Sequence, residues 1–526
     1  MAQSREELYI ITGWLIISGC TLLRLLYAGA VPLVPDEAYY WQWSRHLATG
    51  YHDHPPMIAW SIYAATYLLG HTETAVRLPA VLSLAIVSVY LYFTAKRWIN
   101  FKAALYTVIL TQSILGFNVA GIISTPDSLL LAGWAGAAYH IARAYDDGDR
   151  RHWLIGGAWF GFGMLSKYTM ILFPPLVFIF GLAYAKPRKQ LTRVWPYAGV
   201  LLGILMFLPV ILWNIDNGWN TFRHVAHKGG VDRATGLHLD YMIDFILSQM
   251  GLLSPIIFLL LLMVWFSPFK LSRVTNAWIF KYLFFTSFPV PALFTLLSLH
   301  THVEGNWAAP GYLASAVLIS GYIDNRESPG TGRKRQTVTQ RIWPWAVGSS
   351  YLLTGLIFLH TLWPILPIPI KLDRIAKETS GWNELGQQMH NMQQSMPDPE
   401  KTFFFGLKYQ TASEVAFYAP GKPQTVSINK WRRPNAYEYW WNDADLMGWD
   451  AVGVGGTSLK SIERLQQLFN YVSPPQRLDI YRANSPFVTR TGDPPVSSFY
   501  LYRAYGFKGG LKWIPADISD VRADKP

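Results

Sequence analysis

The residues best suited to chemistry stand close together near the start of the chain. Asp36 and Glu37 follow Val34-Pro35, then come Tyr39, Tyr40 and Trp41, and then Tyr51-His52-Asp53-His54-Pro55-Pro56. Adjacent carboxylates among aromatic and imidazole side chains suit general-base work on a hydroxyl, or the holding of a divalent ion. The competing reading of Asp36 is a helix cap, since it follows a proline and precedes a helix-like run. Asp127, in Ser124-Thr125-Pro126-Asp127-Ser128, raises the same pair of readings. A third cluster, His300-Thr301-His302-Val303-Glu304-Gly305-Asn306-Trp307, matches no standard zinc spacing. Its Trp suits stacking on a sugar face, and its Asn and His suit hydrogen bonds to sugar or phosphate. Lys167 and Arg77 stand at the ends of apolar runs, where each suits a phosphate contact or snorkelling to a membrane surface.

The elements that must hold these side chains are written in the composition. Of 526 residues, 51% are hydrophobic and only 15% charged, against about 25% charged in a soluble domain. A membrane span takes about 20 mostly apolar residues. Eleven segments qualify, near 8–28, 75–95, 103–120, 128–144, 153–166, 168–185, 195–213, 246–266, 282–299, 308–323 and 342–364. The fold class expected is a polytopic α-helical membrane protein of about 11 or more spans, its N-terminal run retained as a span. With the N-terminus inside, all five interior inside loops are basic, carrying for example Lys96, Arg97 and Lys102, Arg143, Arg150 and Arg151, or Lys270, Arg273 and Lys281. The net charge of +12 therefore reads as membrane topology and not as nucleic-acid binding. The single cysteine, Cys20, excludes an internal disulfide and a cysteine-based metal site.

This orientation puts Asp36, Asp127, Lys167, Arg77 and Glu304 on the outside face. Two outside loops are long, at 29–74 and 214–244. In the first, Ala38–Leu47 and Met57–Leu69 are expected as helices lying in the interface. The inside stretch Asp324–Arg341 reads as a flexible basic linker. Residues 1–364 are thus expected as the transmembrane domain and 365–526 as a C-terminal outside α/β domain. In the latter, Gly381–Met392, Tyr409–Tyr418 and Leu459–Phe469 read as helices. Lys401–Phe405, Ala451–Val454, Arg477–Tyr481 and Ser497–Arg503 read as strands. Gly453-Val454-Gly455-Gly456 reads as a strand-to-helix turn, with no nucleotide bound.

In order along the chain, Asp36-Glu37-Ala38-Tyr39-Tyr40, Tyr51-His52-Asp53-His54-Pro55-Pro56, Arg77-Leu78-Pro79, Thr125-Pro126-Asp127, Leu165-Ser166-Lys167-Tyr168 and Glu304-Gly305-Asn306-Trp307 resemble the motifs of bacterial membrane glycosyltransferases. The similarity is to the protein O-mannosyltransferases and the lipid A aminoarabinose transferase of the glycosyltransferase-C superfamily. Gly381-Trp382-Asn383-Glu384-Leu385 and Tyr409-Gln410-Thr411-Ala412-Ser413-Glu414 resemble that family's outside domain. The resemblance implies inverting transfer from a polyprenyl-phosphate sugar to a hydroxyl of a lipid, glycan or protein, at the periplasmic face of the bacterial inner membrane. It implies Asp36 as base, with Glu37 and Asp127 shaping the site. Asp36 and Asp127 would hold a divalent cation (Mg or Mn), if one is used. His54, Arg77 and Lys167 become candidates for the donor phosphate, and Tyr40, Asp53, Tyr168, Glu304, Asn306 and Trp307 further substrate contacts. His54 stands where the aminoarabinose transferase has Lys, which argues against the aminoarabinose donor. The rival class is a transporter or flippase of lipid-linked sugars; the chain shows no internal repeat, and its acids fall at the rim and not at midplane.

Overall fold

The computed structural model describes residues 2–229, 236–266, 277–324, 338–431, 433–456, 459–482 and 494–513. Its contacts divide the chain into two units. One comprises Met1–Ala28, His54–Ser61 and Arg77–Ile357, the other Gly29–Asp53, Ile62–Val76 and Phe358–Pro526. Most of the first long loop groups with the C-terminal residues, because its helix Pro35–Arg45 lies against the helix Tyr409–Tyr418.

The first unit is helical. The apolar segments expected from the sequence are largely helical. Among the described residues, five helices are long and apolar enough to cross a membrane: Ser4–Ala28, Glu73–Trp98, Trp195–Asp216, Ala277–Leu297 and Val338–Leu362. A sixth is the pair Leu239–Leu253 and Pro255–Trp265, which is bent by 104°. The break has a local cause: Ser254 adopts a left-handed φ of 73°, and Pro255 cannot donate to the preceding turn. The remaining expected spans are helices that are short, broken or diluted with charge. Phe101–Ser113 stops before Leu115–Ala120, and Pro126–Asp147 ends in Arg143, Asp146 and Asp147. Pro126–Asp147 and Ala309–Asp324 are buried along most of their length. Covered by protein and not by lipid, they need less apolar surface. Small residues allow the closest approach: a Cβ on Gly157 would collide with the Gly199 carbonyl, so the helix Arg150–Ser166 seats directly on Trp195–Asp216.

The expected long loop 214–244 is largely helical, with Asn220–Lys228 inside it and a further helix starting at Leu239; residues 230–235 lie outside the described part. So do Lys270 and Arg273, and residues 325–337 of the basic linker.

The second unit carries a sheet. Strands β1 (Thr402–Gly406), β2 (Thr425–Ser427), β3 (Asp450–Gly455), β4 (Phe469–Val472), β5 (Gln476–Ile480) and β6 (Ser497–Phe507) form the order β2-β1-β3-β6-β4, with β5 also on β6. The β2/β1 and β1/β3 pairs are parallel, and β6 runs antiparallel to its neighbours. Fully buried Phe403, Phe404 and Phe405 in β1 show why: a central strand covered on both faces reads as a continuous apolar run. The expected helix Leu459–Phe469 ends at Leu468, and Phe469 opens β4 by pairing with Phe507. Ser473-Pro474-Pro475 then separates β4 from β5. The Ser473 hydroxyl accepts the Arg503 N–H at 3.1 Å, opposite prolines that have no N–H of their own to offer the ladder. Near the start of the stretch Phe358–Pro526, Asp373 is buried, accepting the Ala376 N–H at 3.0 Å and bonds from His360 and Arg482.

Candidate active site

The helix Pro35–Arg45 begins with Pro at its first position, where a missing N–H costs nothing. Asp36 and Glu37 follow in the first turn, at the positive end of the helix dipole, but their side chains part company. Glu37 is fully buried, and its Oε2 accepts the Val34 N–H at 3.0 Å. Glu37 thus caps the start of the helix, and Asp36 beside it is exposed. Glu37→Ala is expected to lose about 1 kcal/mol, the ordinary cost of a lost cap, whereas Glu37→Gln keeps an acceptor and near-native stability. Thermal unfolding of both variants, beside transfer activity, checks this.

Beside Asp36 lies a buried polar network. The Asp53 carboxylate, 6% exposed, accepts from the Tyr39 hydroxyl at 2.9 Å and from Arg433 Nη1 at 2.7 Å. Arg433 Nη2 donates to the Tyr409 hydroxyl at 3.1 Å, and the guanidinium lies over the Tyr409 ring at 5.1 Å. The Tyr39 hydroxyl in turn accepts the Ala436 N–H at 2.8 Å. Burial, then the charge of Asp53, push the Tyr39 phenol well above its usual range. Burial and the Asp36 and Asp53 carboxylates do the same to Tyr409. Both stay neutral donors. Burial alone would lower the Arg433 guanidinium, but Asp53 and Tyr409 outweigh it and raise it, so it stays a cation.

The helix is fixed against the C-terminal residues by further bonds. Gln42 Nε2 donates to the Thr425 and Tyr437 hydroxyls at 3.1 and 3.2 Å, and the Leu33 N–H to the Tyr418 hydroxyl at 2.7 Å. Tyr40 packs edge-on to Trp43 at 5.1 Å, an aromatic wall beside the acids.

A second cluster lies within the other unit. At the start of the helix Pro126–Asp147 the N-cap residue is Thr125, whose N–H is accepted by the Ser128 hydroxyl at 3.5 Å. Both oxygens of Asp127 take the Lys167 ammonium, at 2.7 and 2.8 Å, and Oδ2 also accepts from Asn306 Nδ2 at 2.9 Å. Three residues singled out separately from the sequence thus meet in one place. Asp127 and Lys167 are 8% and 7% exposed, so the lysine charge is balanced by a buried carboxylate. Arg77, 2% exposed, donates to the Ala28 carbonyl at 2.9 Å, completing the end of the first helix.

The remaining candidates are placed as follows. His54 is half-buried and belongs with the helical unit, Asp53 with the other. Tyr168 packs edge-on to Phe207 at 6.0 Å, and Trp307 on Phe294 at 5.7 Å. Glu304 is exposed. His300 Nδ1 faces the Gly236 carbonyl at 3.2 Å and His302 packs on Tyr241, which explains both imidazoles without a metal. The residue that sequence reasoning missed is Arg433. Its signal was the basic, aromatic run Lys430-Trp431-Arg432-Arg433-Pro434 in the middle of the α/β domain.

The fold is shared with solved structures of two proteins. ArnT from Cupriavidus metallidurans, solved with bound undecaprenyl phosphate, superposes with a TM-score of 0.61 at 15% identity, covering 94% of this chain and 98% of that one. The archaeal oligosaccharyltransferase AglB from Archaeoglobus fulgidus gives 0.52 at 11% identity, over 93% and 75%. Residues 53–213 match the family model described as dolichyl-phosphate-mannose-protein mannosyltransferase. In sequence the chain is similar to the lipid A galacturonosyltransferase RgtD of Rhizobium johnstonii, 30% identical over 58% of this chain and 64% of that protein. It is also similar to the lipopolysaccharide core galacturonosyltransferase RgtA of the same organism, 26% identical over 38% and 41%. The chain thus spans less than two thirds of the length of these relatives.

Proposed function

We propose that the protein is a bacterial inner-membrane glycosyltransferase that moves a sugar from a polyprenyl phosphate to an acceptor hydroxyl at the periplasmic face. One observation carries the reading. Asp36 is the exposed acid at the head of a rigidly held helix, in a fold shared with a protein solved with undecaprenyl phosphate. The galacturonosyltransferase relatives support a hexuronic acid as the sugar and lipid A or the lipopolysaccharide core as the acceptor.

Transfer proceeds by single displacement. The acceptor oxygen attacks the anomeric carbon while Asp36 takes its proton. The bond from that carbon to the phosphate oxygen breaks, and its electron pair leaves with the polyprenyl phosphate. The anomeric configuration inverts. Neutral Tyr39 and Tyr409, with the Asp53–Arg433 pair, hold the acid-bearing helix in place.

Mass spectrometry of lipids and glycans from a strain lacking the gene tests the reading. The expected result is lipid A or core oligosaccharide lighter by one hexuronic acid residue. An unchanged lipopolysaccharide with underglycosylated envelope proteins would move the acceptor to a protein hydroxyl. Unchanged lipids, glycans and proteins, with lipid-linked sugar redistributed across the membrane, would favour a flippase.

A further inference from the structure

The proposed reaction releases an anionic phosphate and, with a hexuronic acid, handles a second anion on the sugar. It therefore needs a cation that a ligand can reach. Two of the cations picked from the sequence are spoken for within the fold. Lys167 has only 9% of its side chain exposed and is clasped by both oxygens of Asp127. Arg77 is 2% exposed and bonded to the Ala28 carbonyl.

Arg433 differs in each respect. Its side chain is 38% exposed while the side chain of Asp53, its partner, is 7% exposed. A guanidinium has five N–H donors in a planar fork. The shortest contacts of Arg433 are single ones, Nη1 to Asp53 and Nη2 to Tyr409, with a longer one of 3.4 Å from Nη1 to the Pro434 carbonyl. Neither acceptor takes it bidentately. The buried side of the fork is thus anchored, and the exposed remainder keeps donors for a ligand. Asp36 and Tyr39 share the helix Pro35–Arg45, and the Tyr39 ring lies 4.3 Å from the ring of Tyr409, to which Arg433 donates, so the guanidinium sits in the surroundings of the proposed base. Anchoring by one buried carboxylate and one phenol fixes the rotamer of a long side chain beforehand. That is what an oxyanion-binding arginine requires.

We propose that Arg433 is a substrate-binding residue that takes an oxyanion of the lipid-linked donor. Asp53 and Tyr409 are its positioning residues. The inference rests on the polyprenyl-phosphate reading above and adds to it a ligand contributed by the C-terminal domain. The oxyanion is either the donor phosphate or the sugar carboxylate, and both suit the same fork.

The test uses the full-length protein in nanodiscs, with undecaprenyl phosphate and uncharged undecaprenol as binding probes. Transfer is followed from undecaprenyl phosphate carrying galacturonic acid or galactose. If Arg433 holds the phosphate, Arg433→Gln weakens undecaprenyl phosphate about 10-fold or more and leaves undecaprenol binding unchanged. If it holds the carboxylate, lipid phosphate affinity survives; kcat/KM falls about 10-fold or more with the galacturonic acid donor and not with the galactose donor. Either result supports the proposal. A folded Arg433→Gln protein within about 2-fold of wild type in both measurements overturns it. So does one that loses both lipids and both donors alike, which marks a structural role only. Should Arg433→Gln not fold, Arg433→Lys keeps the charge without the fork. A smaller loss with the same selectivity supports the proposal, and wild-type behaviour overturns it. Wild-type protein that prefers undecaprenyl phosphate no more than undecaprenol, and turns over neither donor, overturns the donor reading itself. That outcome is separate from failure of Arg433 alone.

Discussion

Asp36→Asn is expected to lower kcat for sugar transfer by about 10²–10⁴-fold, the range typical of removing a general base, with little change in donor affinity. The substitution keeps the shape of the side chain and removes only its ability to take a proton. Asp36 is exposed, and the Val34 N–H is accepted by Glu37. Stability should therefore move by no more than about 0.5 kcal/mol, as for surface changes in general. The contrast with Glu37 is the informative part. The two acids are adjacent in sequence and look interchangeable, but Asp36 is exposed and Glu37 is fully buried. Steady-state kinetics of Asp36→Asn beside Glu37→Gln read out the difference: a large loss in kcat for the first and near-native turnover for the second. Equal losses would mean that Glu37 shares the chemistry.

The second large effect is on folding. Lys167→Ala leaves Asp127 as a buried carboxylate with Asn306 alone of its two observed donors, and breaking a buried pair from one side costs about 3–5 kcal/mol. Asp127→Ala strands the ammonium at similar cost. The paired change Asp127→Asn with Lys167→Gln removes both charges together, and is expected to recover at least about half of either loss. Detergent-resistant folded yield and thermal unfolding of the three variants measure this. If Lys167→Ala instead leaves folding untouched and abolishes donor binding, Lys167 is a phosphate ligand after all.

Much of the helical framework is legible in the sequence, because each span is an apolar run closed by charge or proline. Tyr409–Tyr418 can be read to the residue for a related reason: an apolar face repeats at helical spacing between Lys408 and Pro420. What stays hidden depends on distance along the chain. β2 is three residues long and is a strand only because it pairs with β1. Phe469 continues a helical pattern and becomes strand because Phe507 lies across from it. Asp127 and Lys167 are 40 positions apart and Asp53 and Arg433 are 380 apart. A single sequence shows each as a lone charge, so Lys167 reads as a free cation and Arg433 as an unremarked basic residue. The bend at Ser254 also stays hidden: 246–266 reads as one span, and Pro79, Pro209 and Pro344 lie inside unbroken helices, so Pro255 alone does not signal the break.

In the proposed reaction a lipid phosphate leaves as the sugar is transferred. The most direct measurement is a single turnover of the purified protein in nanodiscs, with undecaprenyl phosphate carrying labelled galacturonic acid and lipid A as acceptor. The prediction is one free undecaprenyl phosphate for each sugar that appears on lipid A, with inverted anomeric configuration, and neither product from Asp36→Asn. Sugar reaching the opposite leaflet still attached to its lipid, with no free undecaprenyl phosphate, would contradict it.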